Sequence, residues 1–309
     1  MNKPLVAVVV GPTASGKTSL GIEIAKRLDG EIVSADSMQI YKNMDIATAK
    51  PTSDELSQAR HHLIGFLEPT DEFSVAKYKS LAEAAIDDII SRGKLPVVVG
   101  GTGLYIDTLI KNTEFLDYEK NHIRQELEKR DETEGTEVLY NELIKVDPAA
   151  AERLHINDKK RIIRALEVYY STGKTITHQC EVSHINESRY RFCIVGLTAQ
   201  DRQYLYDRIN LRVELMLQEG LIEEAKEFFA SNPGGTAKQA IGYKELKPYL
   251  DGYTSVEEAT ERLKMETRRY AKRQLTWFRR NAAINWLAID TITKDELIDT
   301  ACQIINSER

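Results

Sequence analysis

An apolar run, Val6-Ala7-Val8-Val9-Val10, leads straight into Gly11-Pro12-Thr13-Ala14-Ser15-Gly16-Lys17-Thr18. The eight residues fit the G-x-x-x-x-G-K-[ST] phosphate-binding loop, and the run before them reads as a buried strand. Glycines at both ends let the backbone bend tightly enough to aim its N–H groups at a polyphosphate. Lys17 adds a compact cation, and the Thr18 hydroxyl can coordinate a magnesium ion carried by the same phosphates. Residues 19–28 read as a helix whose positive N-terminal end faces the anion. Strand before and helix after is the context that separates such a loop from a chance glycine-rich turn. The pattern predicts a chain that handles a di- or triphosphate.

The next hundred residues alternate strand and helix. A second strand is expected over Glu31–Ala35, ending at Asp36, and a helix over about Val75–Arg92 with Leu81, Ala85, Ile89 and Ile90 on one side. A third buried strand, Leu95–Val99, closes on Gly100-Gly101-Thr102-Gly103. Short continuous apolar strands between helices imply an α/β fold with a parallel sheet covered on both faces. Ligands bind such sheets beyond the carboxyl ends of the strands, so the loop, Asp36 and Thr102 should surround one crevice. From about Asp117 to Val182 the chain becomes rich in Glu, Lys and Arg at helical spacing. This stretch reads as an all-helical insertion, leaving 1–116 and 183–309 as the core. A strand returns at Arg191–Leu197, and the remainder reads as mainly helical.

Asp36 opens Asp36-Ser37-Met38-Gln39-Ile40-Tyr41. An acid at a strand end beside a phosphate loop can bind magnesium through water, accept a proton, or cap a helix. Thr102 can likewise cap the helix that follows it or turn its hydroxyl to a substrate. Arg208 and Arg212 share one face of a helix expected over 201–220, and either can supply the extra cation that charge building on a leaving group requires.

The net charge of −6 gives no general affinity for nucleic acid, but its distribution is uneven. Between Ala259 and Arg280 eight Lys or Arg stand against two Glu. There Leu263, Tyr270 and Trp277 form an apolar seam flanked by Arg262, Arg269, Arg273 and Arg280. In Lys160-Arg161-Ile162-Ile163-Arg164-Ala165-Leu166 the cations fall on one side, with Ile162, Leu166 and Tyr169 on the other. Each stripe alone fits a solvated amphipathic helix, and two on one chain favour contacts to a phosphate backbone. The cysteines Cys180, Cys193 and Cys302 are scattered and form no CxxC pair, which speaks against a disulfide framework or structural zinc. No apolar run reaches membrane-spanning length and no secretory cleavage pattern opens the chain, so a cytoplasmic location is expected.

GPTASGKT (Gly11–Thr18), DSMQIYKNMDIATAKP (Asp36–Pro51), VGGTGLY (Val99–Tyr105), KRIIRALEVY (Lys160–Tyr169), QAIGYKEL (Gln239–Leu246) and RYAKRQLTWFRR (Arg269–Arg280) together resemble the tRNA dimethylallyltransferases. The resemblance runs in order from about residue 5 to residue 288. It implies a core like that of the P-loop NTPases and prenyl transfer from dimethylallyl diphosphate to N6 of the adenosine just 3′ of the anticodon. The loop Gly11, Pro12, Thr13, Ala14, Ser15, Gly16, Lys17 and Thr18 would then grip the donor's diphosphate rather than ATP. Lys17, Thr18 and Arg208 would hold it, with Mg²⁺ on Thr18. Asp36 would accept the N6 proton, with Ser37, Met38 and Gln39 near the flipped adenine. Thr102, Arg124 and the segment Lys160, Arg161, Ile162, Ile163 and Arg164 would contact the tRNA anticodon stem-loop. The family resemblance further implies a cytoplasmic monomer of the bacterial type, without the zinc finger of longer eukaryotic members. A nucleotide or metabolite kinase would explain residues 1–110 equally well but leaves both basic stripes without a purpose.

Overall fold

The computed structural model describes residues 3–115, 122–183 and 187–309. Strand β1 (Leu5–Val10) enters the phosphate loop and helix α1 (Lys17–Arg27) leaves it. The chain continues through β2 (Gly30–Ser34), α2 (Ser53–Gln58), β3 (His61–His62), α3 (Val75–Ser91), β4 (Leu95–Gly100) and α4 (Gly103–Ile110). Then come α5 (Ile123–Glu134), α6 (Thr136–Val146), α7 (Pro148–Arg153), α8 (Lys159–Thr172) and α9 (Ile176–Ser183). It returns through β5 (Arg191–Thr198), α10 (Arg202–Gln218), α11 (Leu221–Ala230) and α12 (Tyr243–Leu250). The last elements are α13 (Val256–Phe278), β6 (Ile284–Ala288) and α14 (Lys294–Ser307). The chain divides into two compact units, Met1–Thr108 with Arg189–Arg309, and Leu109–Ser188. The second unit extends beyond 117–182 at both ends, and Asp117 itself lies outside the described residues.

Among the described residues six strands form one sheet in the order β3-β2-β4-β1-β5-β6, with every neighbouring pair parallel. Val6–Val10 are buried because β4 and β5 flank β1 and its side chains alternate between two covered faces. On one face Leu20 and Ile24 of α1 and Ile298 and Ile305 of α14 pack with Ala7, Val9 and Val97. Helix α3 lies against β2 and β4 and buries Tyr78, Ala82, Ile86 and Ile89. Of the expected row Ile89 is buried, Ala85 and Ile90 are partly buried, and Leu81 is exposed. Tyr78, outside that row, is buried and stacks on Tyr105 at 3.9 Å. Strand β6 replaces part of the expected helical C-terminal region, and β3 is a further strand that no apolar pattern announced.

Register fixes the future site. Val10 pairs with Gly100 on one side and Gly196 on the other, and Ser34 pairs with Val99. The carboxyl ends of β1, β2 and β4 thus finish level, each followed at once by a loop. Gly100 has no alternative there, because a Cβ would collide with the Ala35 carbonyl.

The unit Leu109–Ser188 is built around α8. Ile162, Ile163, Ala165 and Leu166 are buried with Leu127 of α5, Leu139 and Leu143 of α6, and Ala150 and Ala151 of α7. Two of the residues expected at a tRNA surface, Ile162 and Ile163, are therefore core residues, 0% and 1% exposed. The apolar face of α8 is wider than an alternate-turn reading allows. Only Lys160, Arg161 and Arg164 of that segment present side chains outward. Arg161 pairs with Asp158 at 3.0 Å, while Glu167 takes Arg164 at 3.2 Å and Arg124 at 3.3 Å.

One buried carboxylate ties the amino-terminal end of the sheet together. Glu31 of β2, its side chain 4% exposed, accepts both terminal nitrogens of Arg92 and the ring of His62 at 2.8 Å. The Arg92 hydrogen bonds outweigh burial and hold the Glu31 carboxyl at about 2, below its ordinary 4.5. A carboxyl depressed by folding stabilises fully above its unfolded value and loses that contribution as pH falls from about 4.5 toward 2. Glu31→Gln is expected to lower unfolding free energy at pH 7 by about 2–3 kcal/mol, the scale of a charge-assisted hydrogen-bond pair. Denaturant unfolding at pH 7 and pH 3 should also show a smaller pH dependence in the variant than in the native chain.

Candidate active site

The loop between β1 and α1 takes its shape from backbone conformations that few residues adopt. Gly11, Ala14 and Gly16 have φ of 147°, 61° and 91°. Helix α1 begins on Lys17 with no side chain capping its N-terminus and no acid in its first turn. Its free N–H groups and positive dipole end are left for an anion. The Lys17 ammonium donates to the Pro12 carbonyl at 2.6 Å, and the Ser15 hydroxyl donates to the same oxygen at 2.8 Å. Enclosure of the ammonium lowers the Lys17 pKa to about 7, with Asp36 opposing and Arg212 reinforcing the shift.

A cavity of about 330 Å³ opens beside the loop. Thr13, Lys17 and Thr18 form one end, and Asp36, Ser37, Met38 and Gln39 come from the segment after β2. Its charged lining is four cations, Lys17, Arg212, Lys244 and Arg273, against one carboxylate, Asp36. Ile209, Val213 and Met216 of α10 and Leu263 of α13 supply an apolar part of the wall, beside the polar side chains of Thr48, Gln239, Thr267, Tyr270 and Gln274. This is a receptacle for an anionic head joined to a small apolar tail, with a carboxylate within the same enclosure.

Asp36 has two duties. Its Oδ1 accepts from the Met38 N–H at 2.9 Å and the Gln39 N–H at 3.4 Å, so it caps the turn that follows, while its carboxylate borders the cavity. The Gln39 amide donates to the Thr48 and Ala49 carbonyls and pins a second loop to this turn. Thr102 is spent on the same segment. Its Oγ1 accepts from the Ser37 N–H at 3.0 Å and lies 3.3 Å from the Ser37 hydroxyl, while its neighbours Gly100 and Gly101 line the cavity. Arg208 donates from Nε to the Ala14 carbonyl at 2.8 Å and so braces the loop. Arg212, one turn later, is the arginine that lines the cavity, and burial lowers its pKa. Arg124 and Lys160–Arg164 belong to the other compact unit.

The family described as IPP transferase matches residues 39–281, and that described as isopentenyl transferase matches residues 4–70. The tRNA dimethylallyltransferase of Acetivibrio thermocellus is 51% identical over 296 residues, covering 95% of this chain and 94% of the relative. The chain belongs to the tRNA dimethylallyltransferase family. Among solved structures, the full-length tRNA isopentenylpyrophosphate transferase of Bacillus halodurans superposes with a TM-score of 0.74 at 43% identity, covering 99% of this chain and 97% of that one. A eukaryotic dimethylallyltransferase acting on tRNA gives a TM-score of 0.82 at 30% identity, covering 98% of this chain and 80% of that one.

Of two segments that mark the chain as a tRNA dimethylallyltransferase relative, QAIGYKEL had no role of its own in the sequence, and RYAKRQLTWFRR was expected to form part of a basic stripe toward a phosphate backbone. Both meet in the cavity. QAIGYKEL contributes Ala240, Ile241, Gly242 and Lys244, and RYAKRQLTWFRR contributes Tyr270, Arg273 and Gln274. Gln274 is 5% exposed and replaces an apolar residue in the buried row Ala271–Phe278 of α13. A glutamine at a core position of an amphipathic helix was the signal available in sequence.

The Lys17 pKa carries a measurable consequence. An anion bound at the loop raises that pKa, so binding above pH 7 must take up a proton and weaken as pH rises, whereas below pH 6 Lys17 is already charged. Titration calorimetry with inorganic diphosphate in buffers of different ionisation enthalpy is expected to show an uptake approaching one proton at pH 8 and little at pH 6. Lys17→Gln should remove the Lys17 part of that uptake, read as the difference between the native and variant chains because the ionisation of diphosphate itself is common to both.

Proposed function

We propose that this chain transfers a dimethylallyl group from dimethylallyl diphosphate to N6 of the adenosine 3′-adjacent to the tRNA anticodon and releases diphosphate. The observation that carries this reading is one cavity uniting a phosphate loop, an apolar wall and the Asp36 carboxylate, within the fold of this family. A kinase needs the loop but has no use for an apolar pocket against it.

In this reading the diphosphate lies on the free N–H groups of the loop and α1, with Lys17 and Arg212 against its charge and Arg208 keeping the loop in shape. The dimethylallyl tail lies along Ile209, Val213, Met216 and Leu263. As the bond from C1 to the diphosphate oxygen breaks, negative charge accumulates on the leaving group, where preorganised cations stabilise it most. N6 of the adenine forms the new bond to C1, and its proton passes to Asp36. The adenine must leave its stack to reach an enclosed carboxylate, as in other enzymes that act on bases. Arg273 and Lys244, which also line the cavity, are suited to the phosphates that accompany that base.

Magnesium fits the residues present. Among the described residues no group of three or more His, Cys, Asp or Glu could cage a metal. Mg²⁺ prefers substrate phosphates and water with one or two protein oxygens, and the Thr18 hydroxyl is such an oxygen at the loop. When bound there it would neutralise part of the leaving group's charge. Among the described residues no helix is long and apolar enough to cross a membrane. In this reading the protein acts on tRNA as a cytoplasmic monomer.

Purified protein with Mg²⁺, unmodified tRNA and labelled dimethylallyl diphosphate should place label in RNA without ATP. Movement of the γ-phosphate of ATP to an acceptor, with tRNA unprenylated, would replace this reading by the kinase one. Asp36→Asn keeps the cap to Met38 but removes the basic oxygen. Its single-turnover rate at saturating tRNA, donor and Mg²⁺ is expected to fall about 10²–10⁴-fold. A loss recovered by excess Mg²⁺ would instead make Asp36 a metal-binding group.

In the helical unit, Arg161→Ala with Arg164→Ala should weaken tRNA binding and flatten its salt dependence by about one unit for each phosphate no longer neutralised. Their side chains are 69% and 42% exposed, so the fold should persist. An unchanged slope in filter binding from low to high salt would make this face merely solvated.

A further inference from the structure

Helix α13 places three polar groups, Tyr270, Arg273 and Gln274, on the cavity, and Gln274 reaches past it to two loops. Gln274 Oε1 accepts from the Thr13 N–H of the phosphate loop at 2.8 Å. Its Nε2 donates to the Gly101 carbonyl, in the turn after β4, at 2.9 Å. Gly101 lies so close that a Cβ there would strike the Gln274 amide. Thr102 follows Gly101 directly. Thr102 Oγ1 accepts from the Ser37 N–H at 3.0 Å, and Ser37 follows Asp36 directly.

These bonds and the chain between them form one path: Thr13, Gln274, Gly101, Thr102, Ser37, Asp36. It starts on the loop that would hold the leaving group and ends at the residue that would take the proton. Packing alone does not require it, since a leucine at 274 would extend the apolar row of Ala271 and Phe278. A buried amide is tolerated only when its partners are all supplied, and a satisfied polar network specifies one geometry more sharply than apolar contact does.

We propose that Gln274 is a positioning residue that, through the Gly101–Thr102 turn, holds the Asp36 segment in register with the phosphate loop, so that donor and proton acceptor are set at one mutual distance. This role rests on the prenyl-transfer reading above. Rates fall steeply when reacting groups are displaced, by about 10²-fold for roughly 1 Å. The role of Gln274 should therefore appear in the chemical step at saturation, not in substrate affinity.

Gln274→Leu removes both bonds without adding charge beside the phosphate loop. Thr102→Val removes the acceptor for the Ser37 N–H and keeps the shape of the side chain. Single-turnover prenyl transfer at saturating tRNA, Mg²⁺ and dimethylallyl diphosphate is expected to slow about 10–100-fold in each. Donor Kd, read by equilibrium dialysis of labelled donor, should stay within about threefold. The double variant should be little slower than the slower single variant, because one path is broken once. Three results would overturn the proposal: rates within twofold of the native chain, rate loss matched by an equal loss of donor or tRNA affinity, or effects that multiply independently. Should Gln274→Leu fail to fold, Gln274→Met and Thr102→Val form the same cycle. The native chain assayed alongside separates the two levels. No label in tRNA from the native chain overturns the activity itself, whereas label with unimpaired variants overturns the positioning role alone.

Discussion

The carboxyl ends of β1, β2 and β4 approach with no room for side chains between their backbones, and the rest of the site depends on that approach. Gly100 sits against the Ala35 carbonyl, Ala35 N–H donates to the Val99 carbonyl at 2.8 Å, and Thr102 N–H donates back to Ala35 at 3.2 Å. Three loops carrying the phosphate cradle, the carboxylate and the threonine therefore inherit the rigidity of a buried parallel sheet. Groups held on such elements keep their geometry better than groups on free loops. The cavity is wide enough for a small apolar tail only because α10 and α13 stand beyond these ends.

Charge within the cavity is arranged to receive an anion rather than to satisfy itself. Lys17, Arg212, Lys244 and Arg273 face a single carboxylate, and the enclosure that surrounds Lys17 depresses its pKa toward neutrality. Part of the binding energy of a diphosphate is thus spent on recharging and re-partnering these groups. In exchange the cations are already aimed when charge develops on the leaving oxygen, which is where electrostatic stabilisation accelerates a reaction.

Features set by consecutive residues were legible in sequence. The phosphate loop needs only Gly11–Thr18, and β1, β4 and β5 announce themselves as unbroken apolar runs. Features set by distant partners were not. His61 and His62 become a strand only by pairing with Ile32 and Val33, and β6 carries Asn285 in its middle. Arg208 and Arg212 share a helix face, so spacing could not say which would brace the loop and which would line the cavity. Gln274 looked like one more polar residue in a basic helix because its partners lie 261 and 173 positions away. Ile163 looked like a surface neighbour of Arg164 until the helices around α8 closed over it.

The sheet order has a consequence for the chain during its synthesis. β1 takes its second neighbour from β5, whose pairing runs from Leu5 with Arg191 to Val10 with Gly196. Until those residues leave the ribosome, five consecutive buried apolar residues form an open edge. Such an edge is a template for pairing with another nascent chain. The Leu109–Ser188 unit has its own apolar core and shortens the effective tether when it folds first, easing the closure. Once the sheet is complete its borders are the two-residue β3 and the five-residue β6, which includes Asn285. The longer apolar strands sit inside and brief ones outside, so the aggregation hazard belongs to the unfinished polypeptide and ends when β6 covers the outer edge of β5.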